Sequence, residues 1–206
     1  IDPKDEGINV VGFMKFMMMT PKYRDGAAEA KRAFIKKQKE DRMHKKQTFS
    51  DILYKKLHSD IPWQKYQIKI FGKTYDQPRL TSFHSIGNKN YNYSQIGIKS
   101  NFMNKDLKSL LNQIHKKSDY RFNSVLLNLY RDGMDSNGWH SDNEPELGDD
   151  PKIASINLGE ERFFHLKHRK IKNLRYKILL KHGSLLLMGE KSQTEWVHQI
   201  PKTKKK

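Results

Sequence analysis

From Phe122 onward the chain breaks into short β-type runs at 122–130, 153–158, 162–168, 174–180, 184–188 and 194–200. Gly-containing or polar turns separate them: Asp132-Gly133, Leu158-Gly159-Glu160-Glu161, His182-Gly183 and Gly189-Glu190-Lys191. Short, evenly spaced strands bury their apolar faces by stacking in two layers, so this half of the chain predicts a β-sandwich or jelly roll. Helices are expected only upstream, packed on one side, which makes the class α+β.

The upstream half supports that division. Thr48 or Ser50 can cap a helix whose apolar residues Phe49, Ile52, Leu53 and Leu57 fall at helical spacing before Pro62 stops it. Asn104 can cap a second helix, with Leu107, Leu110, Leu111 and Ile114 forming a stripe that demands burial. Between them, 64–71 alternates with Tyr66, Ile68 and Ile70 on one face, which reads as a strand. Residues 1–47 read as a separate N-terminal basic extension without an assigned role, and 48–206 as the folded domain. Within the extension, 25–46 is Ala- and charge-rich and predicts a solvated helix, either a charged connector or an arm on nucleic acid.

Forty Lys and Arg against 23 Asp and Glu give a formal charge of +17, which favours a polyanionic partner such as nucleic acid. With no cysteine, disulfides and thiolate metal sites are excluded. The most apolar stretch, 8–19, is interrupted by Lys15 and falls short of the ~20 residues of a spanning helix. Acidic Asp2, Asp5 and Glu6 precede it where a secretory signal carries positive charge. These features predict an intracellular protein without a membrane partner.

The chemistry centres on three residues. His140 and Asp142 lie two apart, so in an extended backbone they project from one face, and a second strand can add His198. Two histidines and a carboxylate are the facial triad of a non-haem Fe(II) oxygenase, with coordination positions left for co-substrate and oxygen. In a chain with nine histidines such spacing also arises by chance, and His58, His84, His115, His165, His168 and His182 read as structural or surface residues. Asn128 and Tyr130 share the face of their strand opposite Val125, Leu127 and Leu129. They point either into a cavity, where they could hold a small dicarboxylate, or to solvent.

The runs Asn128-Leu129-Tyr130-Arg131-Asp132-Gly133, Trp139-His140-Ser141-Asp142-Asn143-Glu144, 151–159 (PKIASINLG), 162–168 (RFFHLKH), 183–188 (GSLLLM) and 196–202 (WVHQIPK) together resemble the AlkB family of Fe(II)- and 2-oxoglutarate-dependent nucleic-acid dealkylases. The resemblance covers about 61–206 and is nearest the branch that includes the animal DNA-repair homologues. It implies a double-stranded β-helix, or jelly roll, with flanking N-terminal helices. It also implies Fe(II) held by His140, Asp142 and His198, 2-oxoglutarate contacted by Asn128 and Tyr130, and O2 as oxidant. Phe71, Gly72 and Lys73 match a hairpin that probes the duplex, with Phe71 as a wedge. Arg79, Tyr91, Tyr93 and Ser94 match a nucleotide-recognition lid in which Tyr93 stacks on the flipped base, and Glu144 matches a carboxylate near the base edge. From the residues alone, Phe71 and the tyrosines read as core or turn packing.

The activity so implied is oxidative demethylation of N-alkylated bases of the 1-methyladenine and 3-methylcytosine type in DNA, with RNA as an alternative substrate. The Fe(II) centre is converted with O2 and 2-oxoglutarate to a high-valent iron-oxo species, the oxidant, and formaldehyde, succinate and CO2 are released. In one respect the chain departs from the family, whose pattern continues after the Pro-Lys-rich segment into a strand carrying Arg-x-Asn-x-Thr-x-Arg. The domain is therefore read as C-terminally incomplete, and an inactive nucleic-acid-binding relative is the competing reading. A monomer is expected, in the cytoplasm or nucleoid of a bacterium or the nucleus of a eukaryote.

Overall fold

A computed structural model describes residues 11–17 and 48–204, apart from 71, 88–90 and 94–95. Its elements in chain order are β1 (Val11–Met17), α1 (Phe49–Asp60), β2 (Gln67–Ile70), β3 (Lys73–Asp76), β4 (Leu80–Ser85), β5 (Tyr91–Tyr93), β6 (Ile96–Ile98), β7 (Asn101–Phe102) and α2 (Lys105–Lys117). They continue with β8 (Ser124–Tyr130), β9 (Asn137–His140), a single 3-10 turn at Pro145–Leu147, β10 (Ile153–Gly159), β11 (Arg162–His168), β12 (Arg175–Leu180), β13 (Leu185–Met188) and β14 (Trp196–Ile200).

Both helices start where their caps predict. Thr48 accepts from the Asp51 backbone N–H while the Asp51 carboxylate receives the Thr48 N–H, a reciprocal capping box. Asn104 Oδ1 accepts from Leu107 N at 2.9 Å, and the predicted stripe of Leu107, Leu110, Leu111 and Ile114 is buried.

Among the described residues, ten strands form two facing sheets, a jelly roll. The larger runs β13-β10-β1-β8-β4-β7 and the smaller β12-β11-β14-β9, with hairpins β2-β3 and β5-β6 outside them. Pairing is antiparallel except between β4 and β7. Strand alternation sorts the side chains into two cores on either side of the larger sheet. Phe83, Leu126, Tyr130, Ile153, Phe164, Leu186, Met188 and Ile200 fill the space between the sheets. Val125, Leu127, Ala154, Ile156 and Leu158 face the other way and meet Leu53 and Leu57 of α1 and the buried stripe of α2. The odd and even residues of β8 thus serve different cores, and Asn128 and Tyr130 point to the interior between the sheets.

The N-terminal segment departs from expectation. Val11–Met17, placed by the sequence in a separate extension, is an inner strand that pairs residue for residue with β10 and with β8. Without it, β8 and β10 would face each other with unpaired edges, a costly arrangement for buried backbone. The helix expected over 25–46 lies outside the described residues.

His84 gives the fold a pH dependence. Its ring is 3% exposed, between the Phe102 carbonyl oxygen at 2.9 Å and Ser82 Oγ at 3.0 Å. Burial pulls its pKa below the ordinary 6.5, although the Phe102 hydrogen bond acts in the opposite sense. Below pH 6.5 the unfolded chain takes up a proton that the folded ring resists, so this contribution is complete above 6.5 and shrinks as pH falls. Urea midpoints between about pH 7.5 and about pH 5.5 should fall less steeply in His84→Gln than in the parent. Equal slopes would show that His84 contributes nothing.

Candidate metal centre

β9 and β14 are adjacent antiparallel strands in which His140 and His198 stand directly opposite each other. Directly opposed residues bring their side chains together, and the two rings meet edge to face with centroids 4.3 Å apart. Asp142, two residues beyond the end of β9, turns the same way. Its carboxylate lies 3.7 Å from His140 Nε2 and 3.4 Å from His198 Nε2. One ligand atom from each of the three residues fits within 4.8 Å of the others. Sequence spacing and structure therefore agree on this constellation.

Its surroundings hold each ligand in a usable form. His140 Nδ1 donates to the Gly138 carbonyl oxygen at 2.7 Å, which makes Nε2 the acceptor, and the Asn137 amide nitrogen approaches that Nε2 at 3.0 Å. His198 stacks on Phe164 with ring centroids 5.0 Å apart. Burial pushes both histidines below their ordinary pKa, His140 far below, and Lys15 adds to the effect on each. Burial alone would raise the Asp142 pKa, but the Lys15 ammonium and the two histidines hold it well below the carboxylate range. Neutral imidazoles and an ionised carboxylate are what a divalent cation requires.

Two further residues serve this site that the sequence reading did not identify. Gln193, fully buried, accepts the Asp142 backbone N–H on Oε1 at 2.9 Å and so fixes the segment that carries the carboxylate. Gln193→Ala should weaken binding of Mn(II) by about 10–100-fold, as loss of an orienting partner typically does. An unchanged affinity in a calorimetric titration would remove Gln193 from the site. The other is Lys15 of β1, 1% exposed. Its Nζ lies 2.7 and 2.8 Å from the two Asp142 oxygens, 3.0 Å from His140 Nε2 and 3.3 Å from His198 Nε2. A cationic group thus already sits among the three ligands, direct evidence that their donor set suits a positive charge.

Asn128 and Tyr130 are buried on β8, whose Leu126 is paired with Lys15. Asn128 Oδ1 accepts from Arg79 Nε at 2.8 Å and from Thr81 Oγ1 at 3.3 Å. Arg79 is 4% exposed, with Nη1 3.4 Å from the Ser136 carbonyl oxygen, so its guanidinium is committed to the interior beside Asn128. The Arg162 guanidinium lies 5.7 Å from the Tyr130 ring centroid.

The remaining candidates lie on the two small hairpins, before the 3-10 turn, or outside the description. Gly72 and Lys73 are exposed at the β2-β3 turn, where Gly72 takes a φ of +77° that a side chain would strain. Phe71 and Ser94 lie outside the described residues. Tyr91 and Tyr93 pair with β6 opposite Ile98 and Ile96, and their side chains also lie outside the description. Glu144, half-buried, precedes the 3-10 turn and accepts the Leu147 N–H on its carbonyl oxygen at 2.9 Å. Other histidines have structural partners: His182 Nδ1 accepts from Gly159 N, and His168 Nδ1 from Lys170 N and Ile171 N.

Comparison with known proteins agrees with this geometry. Residues 40–206 match the 2OG-Fe(II) oxygenase superfamily. The chain is 38% identical over 162 residues to alpha-ketoglutarate-dependent dioxygenase alkB homolog 3 of Homo sapiens, a match covering 74% of this chain and 56% of that protein. It is 36% identical over 186 residues to DNA oxidative demethylase ALKBH2 of Arabidopsis thaliana, covering 77% and 57%, and 28% identical over 166 residues to that of Homo sapiens, covering 76% and 64%. It therefore spans little more than half the length of the first two. A jelly roll enclosing a His-Asp-His cluster and a superfamily match over most of the sequence agree: the chain belongs to the 2OG-Fe(II) oxygenase superfamily, and the relatives it is similar to are AlkB homologues.

Proposed function

We propose that the protein is an Fe(II)- and 2-oxoglutarate-dependent dioxygenase that removes alkyl groups from base nitrogens in nucleic acid, of the 1-methyladenine and 3-methylcytosine type in DNA, with RNA as an alternative substrate. The observation that carries this reading is the cluster of half-buried His140 with buried Asp142 and His198 inside a jelly roll of this superfamily. The names of the relatives, which include DNA oxidative demethylases, support the choice of substrate.

His140, Asp142 and His198 would hold the iron through two Nε2 atoms and a carboxylate oxygen. When bound, the iron supplies oxygen activation coupled to decarboxylation of 2-oxoglutarate to succinate and CO2, with hydroxylation of the N-alkyl carbon and loss of formaldehyde. Asn128 and Tyr130 would contact 2-oxoglutarate, and the buried Arg79 would orient the Asn128 amide through its 2.8 Å hydrogen bond. The low exposure of Asp142 and His198, 0% and 1%, excludes water from the ligand atoms and keeps their charge interactions strong. Gly72 and Lys73, exposed at the β2-β3 turn, would meet the duplex, with Phe71 as the proposed wedge. Tyr91, Tyr93, Ser94 and Glu144 would receive the extruded base. A net charge of +17 supplies the sequence-independent attraction to phosphate.

Oligonucleotides carrying 1-methyladenine or 3-methylcytosine, single- or double-stranded, should raise succinate release above that with unmethylated controls, and His140→Ala should abolish the increase. Binding-only behaviour is the competing reading. It would appear as salt-dependent oligonucleotide binding indifferent to His140→Ala, with no stimulation by the methylated base.

A further inference from the structure

The smaller sheet has a second face, turned away from the metal centre. Alternation along β11 sends Phe164 inward onto His198, and Phe163, His165 and Lys167 outward. Their partners in register on β12 are Leu179, Lys177 and Arg175. On this face the two strands and residues 201–203 bound a cleft of about 520 Å³, within the ~300–1,000 Å³ of ordinary ligand sites. Arg162 fixes that third wall from inside, donating to the carbonyl oxygens of Asp135 and Pro201.

Phe163 is 43% exposed, and Lys177 Nζ lies 3.9 Å from its ring centroid. An aromatic plane with an ammonium beside it offers a base something to stack on and a phosphate something to pair with. His165 adds a donor. Gln199 Nε2 approaches its Nδ1 at 3.4 Å, so Nε2 carries the proton, and that buried atom meets no acceptor among the described residues. Lys177 and Lys202 line the cleft, with Glu161 its one carboxylate among the described residues. Lys167 and Arg175, opposite each other in register, carry the positive charge on along the face.

We propose that this cleft is an accessory nucleic-acid site, separate from the metal centre, that takes one nucleotide of a single strand. The base stacks on Phe163, and the flanking phosphates pair with Lys177 and Lys202. Lys177 exchanges its weak contact with the exposed ring for a phosphate oxygen, and His165 Nε2 donates to an oxygen of the same nucleotide. A strand is favoured over a free nucleotide because the cations extend beyond the cleft to Lys167 and Arg175, where further phosphates would lie. Every base has a π-face, so the site is indifferent to sequence.

The test measures, by fluorescence anisotropy, binding of the full chain to a labelled oligodeoxythymidylate and to an abasic strand of equal length. Phe163→Ala should weaken thymidylate binding about tenfold and leave the abasic strand unaffected. Lys177→Ala should weaken both and lower the salt slope by about 0.7. Both residues are exposed, and parent-like urea midpoints would verify that the variants fold. Undiminished thymidylate affinity in Phe163→Ala, or equal affinity of the parent for the two strands, would overturn the site. Poly-glutamate bound as tightly as thymidylate would instead mark a docking surface for acidic protein, and thymidine monophosphate bound as tightly would mark a site for free nucleotide; either result overturns the proposal.

Discussion

Asp142→Ala is expected to abolish stoichiometric binding of a divalent ion and, without any metal, to destabilise the protein by about 3–5 kcal/mol. The first effect follows from loss of the only anionic ligand in the cluster of His140, Asp142 and His198. The second follows from Lys15, whose ammonium would remain between two imidazoles with no counter-charge at 1% exposure. Removing one partner of a buried ion pair costs more than the pair is worth, because the other partner stays desolvated. Replacing both, as in Lys15→Met with Asp142→Leu, should therefore recover most of the lost stability while binding no metal. Urea unfolding of the parent, the single and the double variants checks this. Equal destabilisation in single and double variants would show that the Lys15–Asp142 contact carries no such energy.

Phe164→Ala is expected to cost about 3–5 kcal/mol and to weaken metal binding at the same time. The ring is 1% exposed at the centre of the core between the sheets, so truncation leaves a cavity that flanking strands cannot close. It also stacks on His198, and without it that imidazole is free to rotate out of the cluster. The adjacent Phe163 is the internal control: it is 43% exposed, on the opposite face of β11. Phe163→Ala should change stability by about 0.5 kcal/mol or less. Denaturant midpoints for the two variants, each with a Mn(II) titration, measure both effects, and similar losses would contradict the assigned facing of β11.

Much of this was legible in the sequence because its signals are local. Capping by Thr48 and Asn104 acts over three residues, and the alternation of β8 and β10 reflects two faces that each pack on a core. His140 and Asp142 were readable as a pair because extended backbone places residues two apart on one side. What was missed depends on distant partners. No element is assigned to β4 from the sequence, where Thr81, Ser82, His84 and Ser85 blur the pattern, yet all four are buried, with Ser82, His84 and Ser85 hydrogen-bonded to Ser100, Asn101 and Phe102 or to each other. β9 has the turn-like composition Asn-Gly-Trp-His and is a strand only because β14 pairs with it.

Lys15 is the most instructive miss. An apolar run with one charge in the middle reads as a broken hydrophobic segment, but its length also suits an inner strand buried on both faces. A lysine there requires a buried anion, and Asp142 was already a candidate for burial. Gln193 carried no comparable signal, since its contact with the Asp142 amide spans 51 residues.

The most direct test of the assigned chemistry counts three products in one sample: succinate, formaldehyde and restored base, after incubation of the full chain with Fe(II), 2-oxoglutarate, O2 and an oligonucleotide bearing a single 1-methyladenine. The prediction is equal amounts of all three, and none of any with His140→Ala or Asp142→Ala. Succinate accumulating without base repair, or repair that survives loss of either ligand, would contradict it.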